Sequence, residues 1–169
     1  VDPMLAGEAS GSFTRKGSVQ NLAFYQVCQT GNGLGIVALV VFEKGKLVGI
    51  WGDNSGWTMN VNKIADLNSN GLDEFALSYG GGMHQGQGGI GVDIMEFGSR
   101  GPVSIGWFQG ERLTDTETDY AWRVTVRKGK VPAFFRQKYV ANRDGKLLKR
   151  GTSTAFKLTK VASSFKSVK

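Results

Sequence analysis

Apolar runs of strand length, each closed by a glycine- or Asx-containing turn, follow one another along almost the whole chain, and no helical spacing lasts beyond two turns. A chain patterned this way has few long helices to build with and must pair strands to satisfy its backbone. The turns carry their own chemistry. Asn142-Arg143-Asp144-Gly145 contains an Asp-Gly pair that tolerates the positive φ angles of a tight hairpin, and Glu43-Lys44-Gly45-Lys46 reads the same way. The 25 glycines, set against three prolines and no collagen period, belong to turns and bulges between short strands. Strands are expected at 21–28, 36–43, 47–51, 57–64, 74–79, 90–97, 103–108, 120–127, 131–140 and 146–157. Residues 1–10 read as an approach segment, 52–56 as a turn, 30–35 as a loop, 80–89 as a mobile loop and 114–119 as a polar acidic loop. In the tail from Thr159, Val161, Phe165 and Val168 suggest a short helix or a frayed end.

The fold class that follows is all-β and antiparallel. At 169 residues, residues 1–169 form one compact domain with room for a single substantial core. The longest apolar run, Ile36 to Phe42, falls far short of the ~20 residues that cross a bilayer, so no transmembrane segment is expected. The sequence opens on Val1-Asp2-Pro3, which suggests a processed chain and a periplasmic or secreted setting with its signal peptide removed. Cys28 is the sole cysteine and sits in an apolar run, as a buried inert thiol does. A nucleophile there would need a base, and the one histidine, His84, lies in a distant loop.

Charge divides the chain sharply. Residues 1–120 hold seven Lys and Arg against thirteen Asp and Glu, whereas residues 121–169 hold fourteen against one, Asp144. The basic residues between 123 and 160 alternate along expected strands, so the pleat collects many of them on one face. Such a face is either solvated, or neutralised by the acidic part of the molecule, or open to a protein or an anionic glycan or other polyanion. Nucleic acid is not the expected partner.

Chemistry concentrates in Asp66-Leu67-Asn68-Ser69-Asn70-Gly71-Leu72-Asp73-Glu74. Asp66, Asn68 and Asn70 stand two apart, Gly71 supplies a sharp bend, and an acid pair opens the strand that follows. Alternate oxygen-bearing side chains on a tight turn point at one hard cation. A dry Asx-rich turn is the competing reading. An EF-hand is excluded because its twelfth position is Leu77, where a bidentate Glu is required.

The same arrangement has an earlier counterpart. Aligning Gly17 with Gly71 puts Ser12 on Asp66, Thr14 on Asn68, Lys16 on Asn70 and Gln20 on Glu74, and Val37 to Phe42 falls on Val92 to Phe97, an offset of 54 to 55 residues. The first copy lacks the acids and carries Lys16 at a ligand position. Repeat-like units at about 11–64, 65–114 and 115–160 follow, the third degenerate.

With its strand Phe75-Ala76-Leu77-Ser78-Tyr79-Gly80 and the later Gly89 to Phe97, this loop resembles the FG-GAP/VCBS-type repeats of integrin-like β-propellers and bacterial extracellular proteins. The resemblance covers about 40 residues. It implies two to three propeller-blade-like repeats of about 54 residues and calcium as the cofactor. Carried over position by position, it implies ligands at Asp66, Asn68, Asn70, the Leu72 carbonyl and Glu74, with Asp73 as the alternative acid. Asn70 departs from the Asp usual in that family, which lowers the formal charge and the expected affinity. A closed propeller needs at least four blades, so the units must form an open fold or assemble between chains.

Other signals are weaker. Gly86-Gln87-Gly88-Gly89-Ile90-Gly91 spells a dinucleotide motif but leads into a strand and no helix. Asp115, Glu117 and Asp119 suit a solvated loop, and Trp51, Trp57, Trp107 and Trp122 suit core packing. The expected function is a non-catalytic exported binding module with a structural calcium loop. The alternatives are a polyanion-binding protein using the basic C-terminal third, and a metal-assisted hydrolase centred on residues 66–96. The hydrolase would need converging carboxylates, and Asp93 and Glu96, three apart in a strand, cannot face one pocket.

Overall fold

The computed structural model describes residues 2–29, 35–55, 57–84, 87–114 and 117–168. Twelve strands run in order: β1 (Met4–Gly11), β2 (Gln20–Gln29), β3 (Gly35–Glu43), β4 (Lys46–Ser55), β5 (Trp57–Ile64), β6 (Glu74–His84), β7 (Gln87–Gly98), β8 (Gly101–Thr114), β9 (Glu117–Arg127), β10 (Ala133–Ala141), β11 (Leu147–Phe156) and β12 (Lys166–Ser167). No helix occurs among the described residues. The strands gather into two antiparallel sheets, ordered β1-β2-β3-β4-β12 and β11-β10-β9-β8-β7-β6-β5. Except at β12, each strand pairs with its sequence neighbour within a sheet, which short hairpin turns enforce. Lys44, Gly45 and Gly145 take positive φ in these turns.

Two faces of β6 and β7 are covered. Toward the first sheet, Phe75, Leu77, Met95 and Phe97 meet Phe13, Leu22, Leu39 and Val41, all at most 7% exposed. Phe75 sits at the centre, edge-on to Phe13 at 6.0 Å and tilted on Phe97 at 5.3 Å. On the other face, Ile94 and Leu67 meet Phe134, with Val124, Val126, Phe156 and Leu158 beside them. The seven-stranded sheet therefore curls over its own outer face. β8 pairs with β9 only from Glu111 onward, and its earlier half is bridged at Trp107 by Thr159, with N–H···O distances of 2.8 and 2.9 Å. The curl makes a half-barrel whose edge strands are β11 and β5.

Several expectations need correction. The approach segment at 1–10 is largely β1, paired with β2 through Glu8↔Ala23. Its inward residues, Ala6 and Ala9, are too small to show an apolar period. The turn at 52–56 lies mostly in β4, which runs to Ser55. The loop at 80–89 is mostly strand, because β6 continues to His84 and β7 begins at Gln87. Glycines there make room for neighbours. A Cβ on Gly89 would lie 3.0 Å from Gln109 Nε2 and closer still to the Glu111 carbonyl. The tail forms no helix. It pairs with Trp107 at Thr159 and with Trp51 and Gly52 through β12, where edge backbone groups need partners. Most of the expected loop at 30–35, like residues 115–116, lies outside the described residues.

Candidate functional site: the β5–β6 loop

Between Ile64 and Glu74 the chain makes a turn closed by its own side chains. Asp66 accepts from the backbone N–H of Asn70 at 3.0 Å and of Gly71 at 2.9 Å. Asn68 accepts from Asn70 N at 3.0 Å, and Asn70 from Leu72 N at 2.8 Å. These Asx turns explain the alternate spacing of Asp66, Asn68 and Asn70, and they carry Ser69 to φ 62° and Gly71 to φ 85°. Leu67 points inward, 1% exposed, and its carbonyl accepts from Gly129 N at 2.9 Å, tying the loop to the β9–β10 turn.

Asp73 is committed elsewhere. Its carboxylate accepts from Ser12 N at 2.9 Å and from Asp66 N at 3.2 Å, its own N–H donates to the Ser12 carbonyl at 2.9 Å, and Lys63 Nζ stands at 3.9 Å. It clamps this loop to the one at residues 12–20.

Glu74 is the decisive side chain. It is fully buried, Oε2 accepts from Leu67 N at 2.6 Å, and Oε1 has no partner. The register Phe75↔Met95 sets Glu96 of β7 beside it. Glu96 Oε2 in turn accepts from Asn68 Nδ2 at 2.9 Å and Asn70 Nδ2 at 3.1 Å. Burial holds the Glu74 carboxyl above the usual carboxylate range. The backbone N–H groups of Leu67 and of Glu74 itself oppose that, while the charges of Glu96 and Asp66 reinforce it. Paired carboxylates on adjacent strands repel unless a proton or a cation lies between them.

The earlier loop solves the same problem differently. Gln20 is also buried, at 1%, and its Oε1 accepts from Phe13 N at 3.1 Å, as Glu74 accepts from Leu67 N. Its second atom is satisfied: Gln20 Nε2 donates to Thr14 Oγ1 at 2.7 Å and to Glu43 at 3.1 Å. A neutral amide completes one loop, whereas an unpaired carboxylate oxygen leaves the other short of a positive group.

The oxygens of Asp66, Asn68, Asn70, Glu74 and Glu96 form the candidate donor set, with the Leu72 carbonyl in the same turn. No group of three His, Cys, Asp or Glu side chains stands at metal-holding separation among the described residues. As folded, the Asn68 and Asn70 amide oxygens accept backbone N–H groups of the turn and their Nδ2 atoms face Glu96, so a cation here would have to draw these oxygens away from the turn. Spacing pointed to Asp66, Asn68 and Asn70, and the resemblance added the Leu72 carbonyl and Glu74. Glu96 was missed because its neighbour is set by the β6–β7 register, which two expected strands do not fix by themselves.

No family model, curated protein or solved structure matches this chain.

Asp93 and Glu96 do face opposite ways. Asp93 lines a separate cavity of about 230 Å³ between the sheets, with Asp53, Tyr79 and Ser163. Burial raises the Asp93 carboxyl, although Ser104 Oγ donates to it at 2.5 Å. A raised acid holds its proton longer in the folded state, so its stabilisation is greatest below the ordinary Asp pKa and falls as pH rises through the folded value. Asp93→Asn is expected to melt higher than wild type at pH 7, with the difference shrinking toward pH 3 in thermal scans. Cys28 is partly buried in β2, and Trp57 is 42% exposed, against the core role expected for it. Asp119 is exposed, 3.9 Å from Arg112. The side chains of His84 and Glu117, and the whole of Asp115, lie outside the described residues.

Proposed function

We propose that this protein is a non-catalytic, exported β binding module whose β5–β6 loop is held by calcium, in the manner of FG-GAP/VCBS-type repeats. One observation carries the reading: Glu74 Oε1, fully enclosed and unpartnered, beside the Glu96 carboxylate. Calcium supplies the missing positive charge there. Asp66, Asn68, Asn70, the Leu72 carbonyl and Glu74 hold it, and Glu96 adds a carboxylate from the neighbouring strand. The loops at 12–20 and 66–74 are then two copies of one blade-like unit, the first having exchanged its metal for Gln20. No helix among the described residues is long and apolar enough to cross a membrane.

The ligand-binding surface in this reading is the basic third. It holds fourteen Lys and Arg against one acid, Asp144. The three ion pairs among the described residues are Arg15–Glu43, Lys63–Asp73 and Arg112–Asp119. Those pairs lie outside residues 121–169, and the charge of this third exceeds what its one acid can balance, which favours an anionic glycan or acidic protein as partner. The same observation supports the second reading, a general polyanion binder, for which affinity falls steeply with salt.

Thermal melting in calcium and in chelator tests the loop. Wild type is expected to gain about 1–6 °C in 1 mM calcium. Glu74→Gln should lose that gain while melting no lower than wild type in chelator, because the repulsion is gone. A wild-type melting temperature indifferent to calcium overturns the reading.

A further inference from the structure

At the mouth of the curl lies a second site that owes nothing to the calcium loop. A pocket of about 360 Å³ opens between β8, β9, β10 and the segment after β11, lined by Trp107, Phe108, Tyr120, Trp122, Arg136 and Phe156 together with Gln109, Lys157 and Thr159. Mouths of curled and closed sheets are common ligand sites because side chains converge there without filling the space. The strand register builds this one. Lys138 pairs with Trp122 and Arg136 with Val124, so alternate residues of β9 and β10 present cations and rings on one face.

The cations lie against the rings. The Arg136 guanidinium is 4.4 Å from the Trp122 ring and 5.1 Å from that of Phe156. Lys138 Nζ is 4.5 Å from the Tyr120 ring, which meets Trp122 edge-on at 6.0 Å. Stacking fixes the guanidinium but does not neutralise it. Among the described residues, no carboxylate lines the pocket and no ion pair includes Arg136. Its Nε is shut off from water without a hydrogen-bond partner. Arg136 as a whole is only partly buried, so the guanidinium lies against the pocket with its charge available to an oxyanion that enters it.

We propose that this pocket binds a small ring-bearing organic acid, its carboxylate held by Arg136 with Lys157 adding attraction, and its ring lodged among Trp107, Tyr120 and Phe156. The volume suits one ring, and the aromatic lining favours a body with apolar faces or edges over a bare inorganic ion. Sugar acids and aromatic acids share this chemistry.

Calorimetric titration of the intact protein with glucuronate, benzoate and inorganic phosphate tests the proposal, with the Trp122 indole N–H resonance reporting the location. One or both organic acids should saturate a single site and shift that resonance, with phosphate at least ~10-fold weaker. Which acid binds identifies the source as sugar or aromatic. Arg136→Gln should weaken binding by ~10-fold or more, and Arg136→Lys, which keeps the charge but loses the planar fork, by less. Melting curves for each variant separate lost binding from lost fold. No saturable binding by either acid overturns the proposal. So does phosphate binding as tightly as the acids, or unchanged affinity in a folded Arg136→Gln protein.

Discussion

Phe75→Ala is expected to destabilise the protein by about 3–5 kcal/mol, a large share of the ~5–15 kcal/mol that holds a domain of this kind together. Phe75 is fully buried at the point where the two sheets meet, with Phe13 and Phe97 stacked against it. Both rings are anchored, Phe13 in the loop before β2 and Phe97 in β7, so the space left by the deletion cannot collapse without separating strands from different sheets. Thermal melting should fall by roughly 6–20 °C. Phe75→Leu, which refills much of the volume, should recover part of the loss. A drop of only a degree or two for the alanine variant would mean that the sheets do not pack around this ring.

Asp73→Ala carries the second large effect, for a different reason. The carboxylate takes the backbone N–H of Ser12 and of Asp66, one from each of two loops far apart in sequence. Truncation leaves both donors without their acceptor, at a cost of about 2–3 kcal/mol. Its 3.9 Å approach to half-exposed Lys63 adds little. Asp73→Asn keeps one acceptor and should fall between wild type and alanine. In urea the midpoint should drop with the slope unchanged, since the denatured state is not altered. If Asn and Ala were both neutral, the clamp between the loops would be absent in solution.

The features legible in the sequence were the ones encoded locally. Turn residues such as Asp144-Gly145 and Lys44-Gly45 declare their backbone angles, and the run from Ile36 to Phe42 declares a buried strand, so the all-β antiparallel architecture followed. The spacing of Asp66, Asn68 and Asn70 announced a structured loop because Asx side chains close turns two residues on. Everything that depends on register escaped. Residues 80–89 read as loop because glycines carry no side-chain period, yet 80–84 and 87–89 extend β6 and β7, and the pairing of the two strands in the register Phe75↔Met95 is what puts Glu96 beside Glu74. β1 and β12 are strands by virtue of the edges they cover, not of their own propensity. The stacked cations at the mouth of the curl were visible only as an excess of basic residues. Alternation placed them on a face, but which rings they meet depends on how far the sheet curls.

The claim on which the functional reading rests is that the enclosed Glu74 oxygen faces a cation, and calcium titrated calorimetrically into metal-free protein measures it most directly. One ion per chain with a dissociation constant of about 0.1–1 mM, abolished in Glu74→Gln and weakened in Glu96→Gln, is the expected result. Absence of binding heat at millimolar calcium, together with an unshifted Glu74 carboxyl resonance, would contradict it and leave the loop a dry turn.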